Sequence, residues 1–496
     1  MKELVADLDR RNAEDPTVLA AVDADGTYTL GELLAAGDAL AAAVRACAGA
    51  EPTVLVQADN TWRTVAAALA VGRLGGTLAL ISRHCTRPEF QAAVEDLEPD
   101  VVLTAPERAA EWAVAEVRPR VHGDVLDGWC LAGERVRASG RWGGGVVIGL
   151  TSGSTGRAKG VVQSERSLRY ASQETVAAVG LRPGDGVAAL VPLSSAAAVC
   201  FGLYLPLLLG GRLLLCDRWE PAEAVELMAR HDARWTMCVP TMALQMGSAA
   251  RTEGMLSALT AMTVGGGPMD AGALGRAERR LGTRILRVFG MSECLGHTTP
   301  RPDDPEDLRL GTDGIPFPGT ELRAVDESGS PVPTGSIGRA QVRGPSLFAG
   351  YARRGEVEPP ALTEDGFFPT GDLVEIRADG AISIRGREKD IIIRGGRNID
   401  ITEVETAIAA HPGVDQVCVV AVPDAVLGER VAALLVTADG LELPQIQQHL
   451  AGIGLMKGKW PEFVFRVDDL PQNRVGKISR ADASRLAREL RDGAPA

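Results

Sequence analysis

The sequence predicts an α/β protein: a large N-terminal part of stacked α/β subdomains plus a β-rich subdomain, then a small α+β C-terminal domain. Three patterns predict it. Helix and strand periodicities alternate from residue 27 onward, and short strands broken by Gly and Pro begin near Gly311. A compact helix–strand–strand–helix pattern then follows Gly386. The length of 496 residues suits several domains at roughly 100–200 residues each.

Residues 27–47, TYTLGELLAAGDALAAAVRAC, read as an amphipathic helix with Thr29 as its N-cap. Residues 52–58 read as a buried strand, TWRTVAAALAVGRLG as the next helix, and GTLALIS and DVVLTA as further strands. The longest apolar run, Ala196 to Leu209, is too short to span a bilayer and reads as a buried helix feeding the strand RLLLC. The segment TELRAVDESGSPVPTGSIGRAQVRGP supplies the β-rich texture. ITEVETAIAAHPG, VDQVCVVAVPD, ERVAALLVTA and LPQIQQHLAG form the last unit. The boundary falls at Gly386 to Asp390, giving domains 1–388 and 389–496.

Composition narrows the function. At 45% hydrophobic and 24% charged residues the chain is globular, neither disordered nor collagen-like. A net charge of -13 repels phosphate backbones and anionic lipid, so nucleic acid is not an expected partner. Among 52 Lys and Arg only six are lysines: Lys2, Lys159, Lys389, Lys457, Lys459 and Lys477. A lysine in such a chain marks a place where arginine does not serve. The eight cysteines form no C-x-x-C pair and read as free thiols of a reducing compartment. The six histidines show no zinc spacing. The first residues, MKELVADLDR, lack a signal-peptide apolar core, so a cytoplasmic protein without a membrane span is expected.

The strongest local signal is GLTSGSTGRAKG (149–160), which follows the strand VVIGL. Small hydroxyl and glycine residues let backbone N–H groups crowd around phosphate oxygens, and Lys159 adds a point charge. The pattern is not the Walker loop, because Gly160 and not Ser or Thr follows the lysine. Five more segments stand in order: GGGP (265–268), FGMSE (289–293), PTGD (369–372), GREKDIIIRGGRNIDITEVE (386–405) and NRVGKISR (473–480). Together the six resemble the acyl- and aryl-adenylate-forming superfamily of acyl-CoA synthetases, nonribosomal peptide adenylation domains and luciferases, most closely the acyl-CoA ligases.

The resemblance implies roles, each compatible with local chemistry. Thr151, Ser152, Gly153, Ser154, Thr155, Gly156 and Lys159 would hold the β- and γ-phosphates of ATP. Glu293 would bind Mg²⁺, and Ser292 would contact phosphate or the acyl oxygen. Gly266, Gly267 and Phe289 would border adenine, Phe289 standing where tyrosine is usual. Asp372 would accept from both ribose hydroxyls, and Arg387 would support ribose and phosphate. Lys477 would be the catalytic lysine between the substrate carboxylate and the α-phosphate. The C-terminal domain would be a mobile lid with Lys389 at its hinge, and Gly396 would line a thiol tunnel. Lys457 and Lys459 are basic candidates for the coenzyme A phosphates.

Several positions depart from the family pattern. Ala158 replaces a usual proline, Glu165 a frequent histidine, and Ile401 a common proline. Ser194 and Ser195 replace an aromatic residue and a histidine that help orient the carboxylate. Ala196 replaces the aspartate that pairs an α-ammonium, which disfavours amino-acid substrates. With Ser195, Ala196, Gly265, Cys294, Leu295 and Gly296 around it, the acid pocket is expected to be roomy and apolar and to suit a bulky or alicyclic acid.

The function expected is an ATP-dependent acyl-CoA ligase: acid plus ATP gives acyl-AMP and pyrophosphate, then acyl-CoA and AMP. The alternatives are a ligase loading a phosphopantetheinyl carrier protein and an enzyme that only transfers acyl groups from preformed adenylate. The remote non-enzyme alternative is a nucleotide-binding scaffold. ATP, Mg²⁺ and coenzyme A are the implied cofactors, and the resemblance admits a homodimer.

Overall fold

A computed structural model describes the chain except residues 119–120, 136–137, 152–157, 268, 389, 438–439, 474–475 and 494–496. Two sheets form the body among the described residues. The nine-stranded sheet runs Glu356–Glu358, Gly350–Arg353, Lys159–Ser164, Gly145–Thr151, Thr77–Ser82, Thr53–Ala58, Val101–Thr104, Trp129–Gly133, Val121–Leu126. The four strands from Gly145–Thr151 to Val101–Thr104 are parallel and the rest antiparallel. The seven-stranded sheet runs Ile285–Val288, Ala261–Gly265, Ala233–Cys238, Gly186–Ala189, Leu213–Leu215, Leu19–Val22, Thr27–Thr29. Only its last pair is antiparallel. Strands such as Thr53–Ala58, buried at every position, read as unbroken apolar runs because helices cover both faces.

The alternation read from the sequence is this body. Helix Leu30–Ala48 starts on Thr29, whose side chain accepts from Glu32 N–H while the Glu32 carboxylate reaches back, a reciprocal capping box. The apolar run 196–209 is one buried helical passage with an insertion: α-helix Ala196–Val199, a π-helical turn Cys200–Tyr204, then α-helix Leu205–Leu209 ended by Gly210 at φ +74°. The π turn re-aims Phe201 and Tyr204 relative to a straight helix.

Gly311 does open a β-rich region. Strands Glu321–Val325, Ile337–Arg343, Phe368–Ile376 and Ile382–Arg387 make an antiparallel sheet. Asp313 ties it to the body: its carboxylate receives the Arg287 guanidinium at 3.0–3.2 Å and the Ile384 N–H at 2.8 Å. A second buried pair fixes the helix after the glycine turn. Glu278 on helix Ala271–Leu281 takes Arg309 Nη2 at 2.9 Å and Ile285 N–H at 2.7 Å.

Beyond residue 390 lies a separate five-stranded sheet with its own apolar clusters around Ile392, Val404, Val419 and Leu435, and around Cys418, Leu434 and Ala483. Helices Ile401–Ala409, Leu443–Gly452 and Arg480–Gly493 cover it. No helix among the described residues is long and apolar enough to cross a membrane.

Candidate active site

The site lies where the C-terminal ends of the body strands, the β-rich sheet and one loop of the C-terminal domain meet. Strands Gly145–Thr151 and Lys159–Ser164 pair antiparallel, with Thr151 opposite Lys159 and the Thr151 hydroxyl donating to the Lys159 carbonyl at 3.3 Å. The strands on either side of the Ser/Thr/Gly segment therefore pair with each other, and Lys159 is the first residue of the second. Ser152, Gly153, Ser154, Thr155 and Gly156 themselves lie outside the described residues, as does Lys389. The Lys159 ammonium stands 5.0 Å from the centre of the Tyr351 ring, a cation–π contact.

Tyr351 also donates its hydroxyl to Glu293 Oε1 at 2.9 Å. Burial, with the Glu293 charge adding to it, pushes the Tyr351 phenol well above its ordinary pKa, so it stays a donor. Gln163 donates to the Ser292 carbonyl at 2.7 Å and accepts from the Ser167 hydroxyl, so the turn that carries Ser292 and Glu293 is held from behind. Among the described residues no group of three or more His, Cys, Asp or Glu is placed to cage a metal. A Mg²⁺ ion fits this donor set as one carboxylate plus substrate phosphate oxygens, the usual arrangement for that cation.

Asp372 and Arg387 face each other across paired strands, and Arg387 Nε donates to Asp372 Oδ1 at 3.0 Å. Asp372 is 3% exposed, and its Oδ2 is buried without a hydrogen-bond partner. An orphaned buried acceptor is costly unless a ligand donor reaches it, which is what a ribose hydroxyl supplies. Burial raises the Asp372 pKa, and Arg387 opposes the shift. Phe289 is packed by Ala324, Ala340, Val374 and Ile382 and meets His297 edge-on, centroids 5.0 Å apart. His297 is fully buried and pushed down to about 4 by desolvation, so it is neutral at pH 7.

Lys477 reaches this cluster from the other domain. The turn that carries it is tight: Asn473 N–H donates to the Lys477 carbonyl at 2.7 Å, and Lys477 N–H to Asn473 Oδ1 at 3.0 Å. Its amine lies so close to Gly266, at φ +85°, that a Cβ there would stand 2.6 Å from Nζ. Much of the side chain is open to solvent, yet the amine end sits in the cleft. Burial and then the Arg387 charge lower its pKa from the ordinary lysine value, while Asp372 and Glu293 pull it up. One cation thus stands among the ribose candidate, the metal candidate and the glycine turn.

The acid pocket differs from expectation. Gly296 leaves no free room, because a Cβ there would meet the Phe201 ring at 3.1 Å, and a Cβ on Gly149 would meet Ala196 backbone at 2.2 Å. Gly265 likewise abuts Val288. These glycines serve close packing. Cys294 is buried with Val161, Val342, Phe348 and Phe368, its thiol 3.2 Å from Ser346 Oγ, so it belongs to the core and not to the pocket. Leu295 is likewise fully buried in the main core. The Ser195 hydroxyl caps its own helix by accepting Ala198 N–H at 3.2 Å. A separate void of about 10 Å³, near one water in size, lies between strand Gly186–Ala189 and Ala198, Phe201, Gly202 and Met237.

Glu165 has a structural job where the family favours histidine. Its carboxylate accepts Leu4 N–H at 2.8 Å and the Tyr204 hydroxyl at 3.2 Å, tying helix Lys2–Glu14 to the π turn. Gly396, at φ +81°, has nothing within 4 Å of where a Cβ would stand. Lys459 is paired with Glu403 at 2.6 Å.

Sequence reasoning missed Asn60, Gln163, Phe201, Thr241 and Tyr351. Asn60 Nδ2 donates to the Ala189 and Val191 carbonyls, and its Oδ1 accepts Leu193 N–H, clamping the loop that leaves strand Gly186–Ala189. An isolated Asn after a strand signals only a turn, so its clamping role had no local signature.

Residues 8–352 match the model of the AMP-binding enzyme family, and residues 403–477 match that of the AMP-binding enzyme C-terminal domain. The chain belongs to the AMP-binding enzyme family. A salicylyl-CoA synthase / salicylate adenylyltransferase of Streptomyces sp is 32% identical over 93% of this chain and 89% of its own. Triostin synthetase I of Streptomyces triostinicus is 38% identical over 68% of this chain, and the match spans only 64% of that relative. Among solved structures, ATP-bound MatB from Rhodopseudomonas palustris superposes with a TM-score of 0.84 at 28% identity, covering 99% of both chains. The AMP-binding reading of the six motifs and the large-plus-small domain architecture hold.

Proposed function

We propose that this protein is an acid–thiol ligase that activates an aryl carboxylic acid as acyl-AMP and passes the acyl group to coenzyme A. The observation that carries the proposal is the placement of the Lys477 amine against Gly266, between the Asp372–Arg387 pair and Glu293. In acyl-AMP formation an acid oxygen bonds to the α-phosphorus while the bond to pyrophosphate breaks. Two anions must meet, so the protein's work is positioning and charge neutralisation.

Lys477 bridges the carboxylate and α-phosphate. Lys159 and the Thr151 to Gly156 segment hold the outgoing phosphates. Asp372 accepts from the ribose hydroxyls, Arg387 supports it, and Phe289 presents an apolar wall to adenine with Gly266 and Gly267 opposite. Glu293, with phosphate oxygens, would hold Mg²⁺, which when bound neutralises phosphate charge. In the second step a thiol sulfur bonds to the acyl carbon, AMP leaves with the acyl carbon–oxygen pair, and the thiol proton passes to solvent. The similarity to a salicylyl-CoA synthase over nearly the whole chain agrees with an aryl acid.

The test is pyrophosphate exchange across aryl, alicyclic and long-chain acids, followed by acceptor comparison. Exchange should be greatest with aryl acids, and free coenzyme A should accept the acyl group. Exchange with no acid would overturn the ligase reading, and acceptance only by a pantetheinylated carrier protein would overturn the coenzyme A assignment.

A further inference from the structure

Thr241 is the second residue of helix Pro240–Ala249, whose N-cap, Val239, makes no side-chain bond to it. The Thr241 hydroxyl points instead to the other domain and donates to the Gly476 carbonyl at 3.1 Å. Gly476 stands at φ +76°, where a Cβ would lie 3.4 Å from Met242 and 3.6 Å from Val239, so the C-terminal loop is seated on the start of this helix. The Gly476 carbonyl and the Lys477 N–H share one peptide unit. Its N–H is bound within the C-terminal domain by Asn473 Oδ1 at 3.0 Å, and its carbonyl is bound by the body through Thr241. Both ends of the peptide from which the Lys477 side chain departs are therefore fixed.

We propose that Thr241 is a positioning residue, a latch that holds the C-terminal domain in the pose where Lys477 meets acid and nucleotide. The proposal rests on the assignment of Lys477 to acyl-AMP formation. The latch touches no reacting atom and binds only the loop, so it acts on the population of one pose and on the aim of one side chain. Attack by a thiol on the acyl carbon does not use Lys477, so that step gains nothing from the latch.

The experiment compares wild type, Thr241→Val and Thr241→Ser in both half-reactions, and follows hydrogen–deuterium exchange of the peptide covering 472–479 in the full chain. Loss of one neutral hydrogen bond should slow acyl-AMP formation about three- to tenfold. Thioester formation from supplied acyl-AMP should be unchanged. The Val variant should speed exchange in 472–479, and the Ser variant should restore both readouts. Unchanged exchange in Thr241→Val, or equal loss of both half-reactions, would overturn the latch. If wild type makes no acyl-AMP with any acid, the ligase reading fails, while the exchange comparison still decides whether Thr241 holds the loop.

Discussion

Lys477 concentrates the electrostatic problem of the reaction in one side chain. Its amine must be charged to neutralise two anions, yet burial and Arg387 favour the neutral form. The charged state is therefore full below the lowered pKa and is lost as pH rises through it, at a pH below the ordinary lysine value of 10.5. Acyl-AMP formation in wild type should thus show an alkaline limb in kcat/KM, which reports groups of the free enzyme. Lys477→Arg keeps its charge throughout, because guanidinium does not deprotonate in proteins. Its rate should be lower, because a planar fork is crowded beside Gly266, but the limb should vanish or move upward. Pyrophosphate-exchange profiles of the two proteins check this, and superimposable alkaline limbs would count against Lys477 as the titrating group.

Among the elements, the helix Ala271–Leu281 matters most to the site, because it follows directly on the Gly265–Gly267 turn that faces Lys477. Burial raises the Glu278 pKa, but Arg309 and the Ile285 N–H outweigh burial, and the net shift is downward. A depressed carboxyl contributes stability above its unfolded value, and that contribution is lost as pH falls through the folded one. Glu278→Gln leaves Arg309 buried without a counter-charge and should cost about 3 kcal/mol at neutral pH. Denaturant titrations at neutral pH and near pH 4 measure it. The gap between wild type and variant should narrow on acidification, and a gap independent of pH would exclude the ion pair as its source.

The same element shows what a chain can and cannot reveal about itself. Thr29 and Glu32 announce their helix because a capping box is written within four residues. The parallel strands announce themselves as unbroken apolar runs, and the glycine-rich segments as turns. The packing of Phe201 against Gly296 joins residues far apart in the chain, and the π turn that carries Phe201 follows no periodicity of 3.6. Glu165 looks like a defect in a motif until its Leu4 and Tyr204 partners are seen. Asp372, Glu293 and Lys477 are singled out through the family resemblance of their motifs, whereas Thr241, Asn60 and Tyr351 act through long-range hydrogen bonds that leave no local trace.

At the scale of the whole molecule, the C-terminal domain meets the cleft through the loop that carries Lys477. Lys477 is in contact with Gly266, while Gly396 has open space around it. We propose that the two residues serve different steps, with the domain moving between them. This separates their roles experimentally. Lys477→Ala should lower acyl-AMP formation by about 10²- to 10³-fold, the scale of losing one transition-state charge partner, and spare thioester formation from supplied acyl-AMP. Gly396→Asn is the converse probe, because asparagine tolerates the left-handed φ of +81° and adds bulk where a thiol arm would pass. It should leave acyl-AMP formation intact and slow thioester formation, by up to about 10²-fold if the thiol is displaced by an ångström. The two half-reactions are read separately, as pyrophosphate release and as thioester yield from synthetic acyl-AMP. If both substitutions depress the same half-reaction, the two lid faces do not take turns, and a single fixed arrangement has to account for both steps.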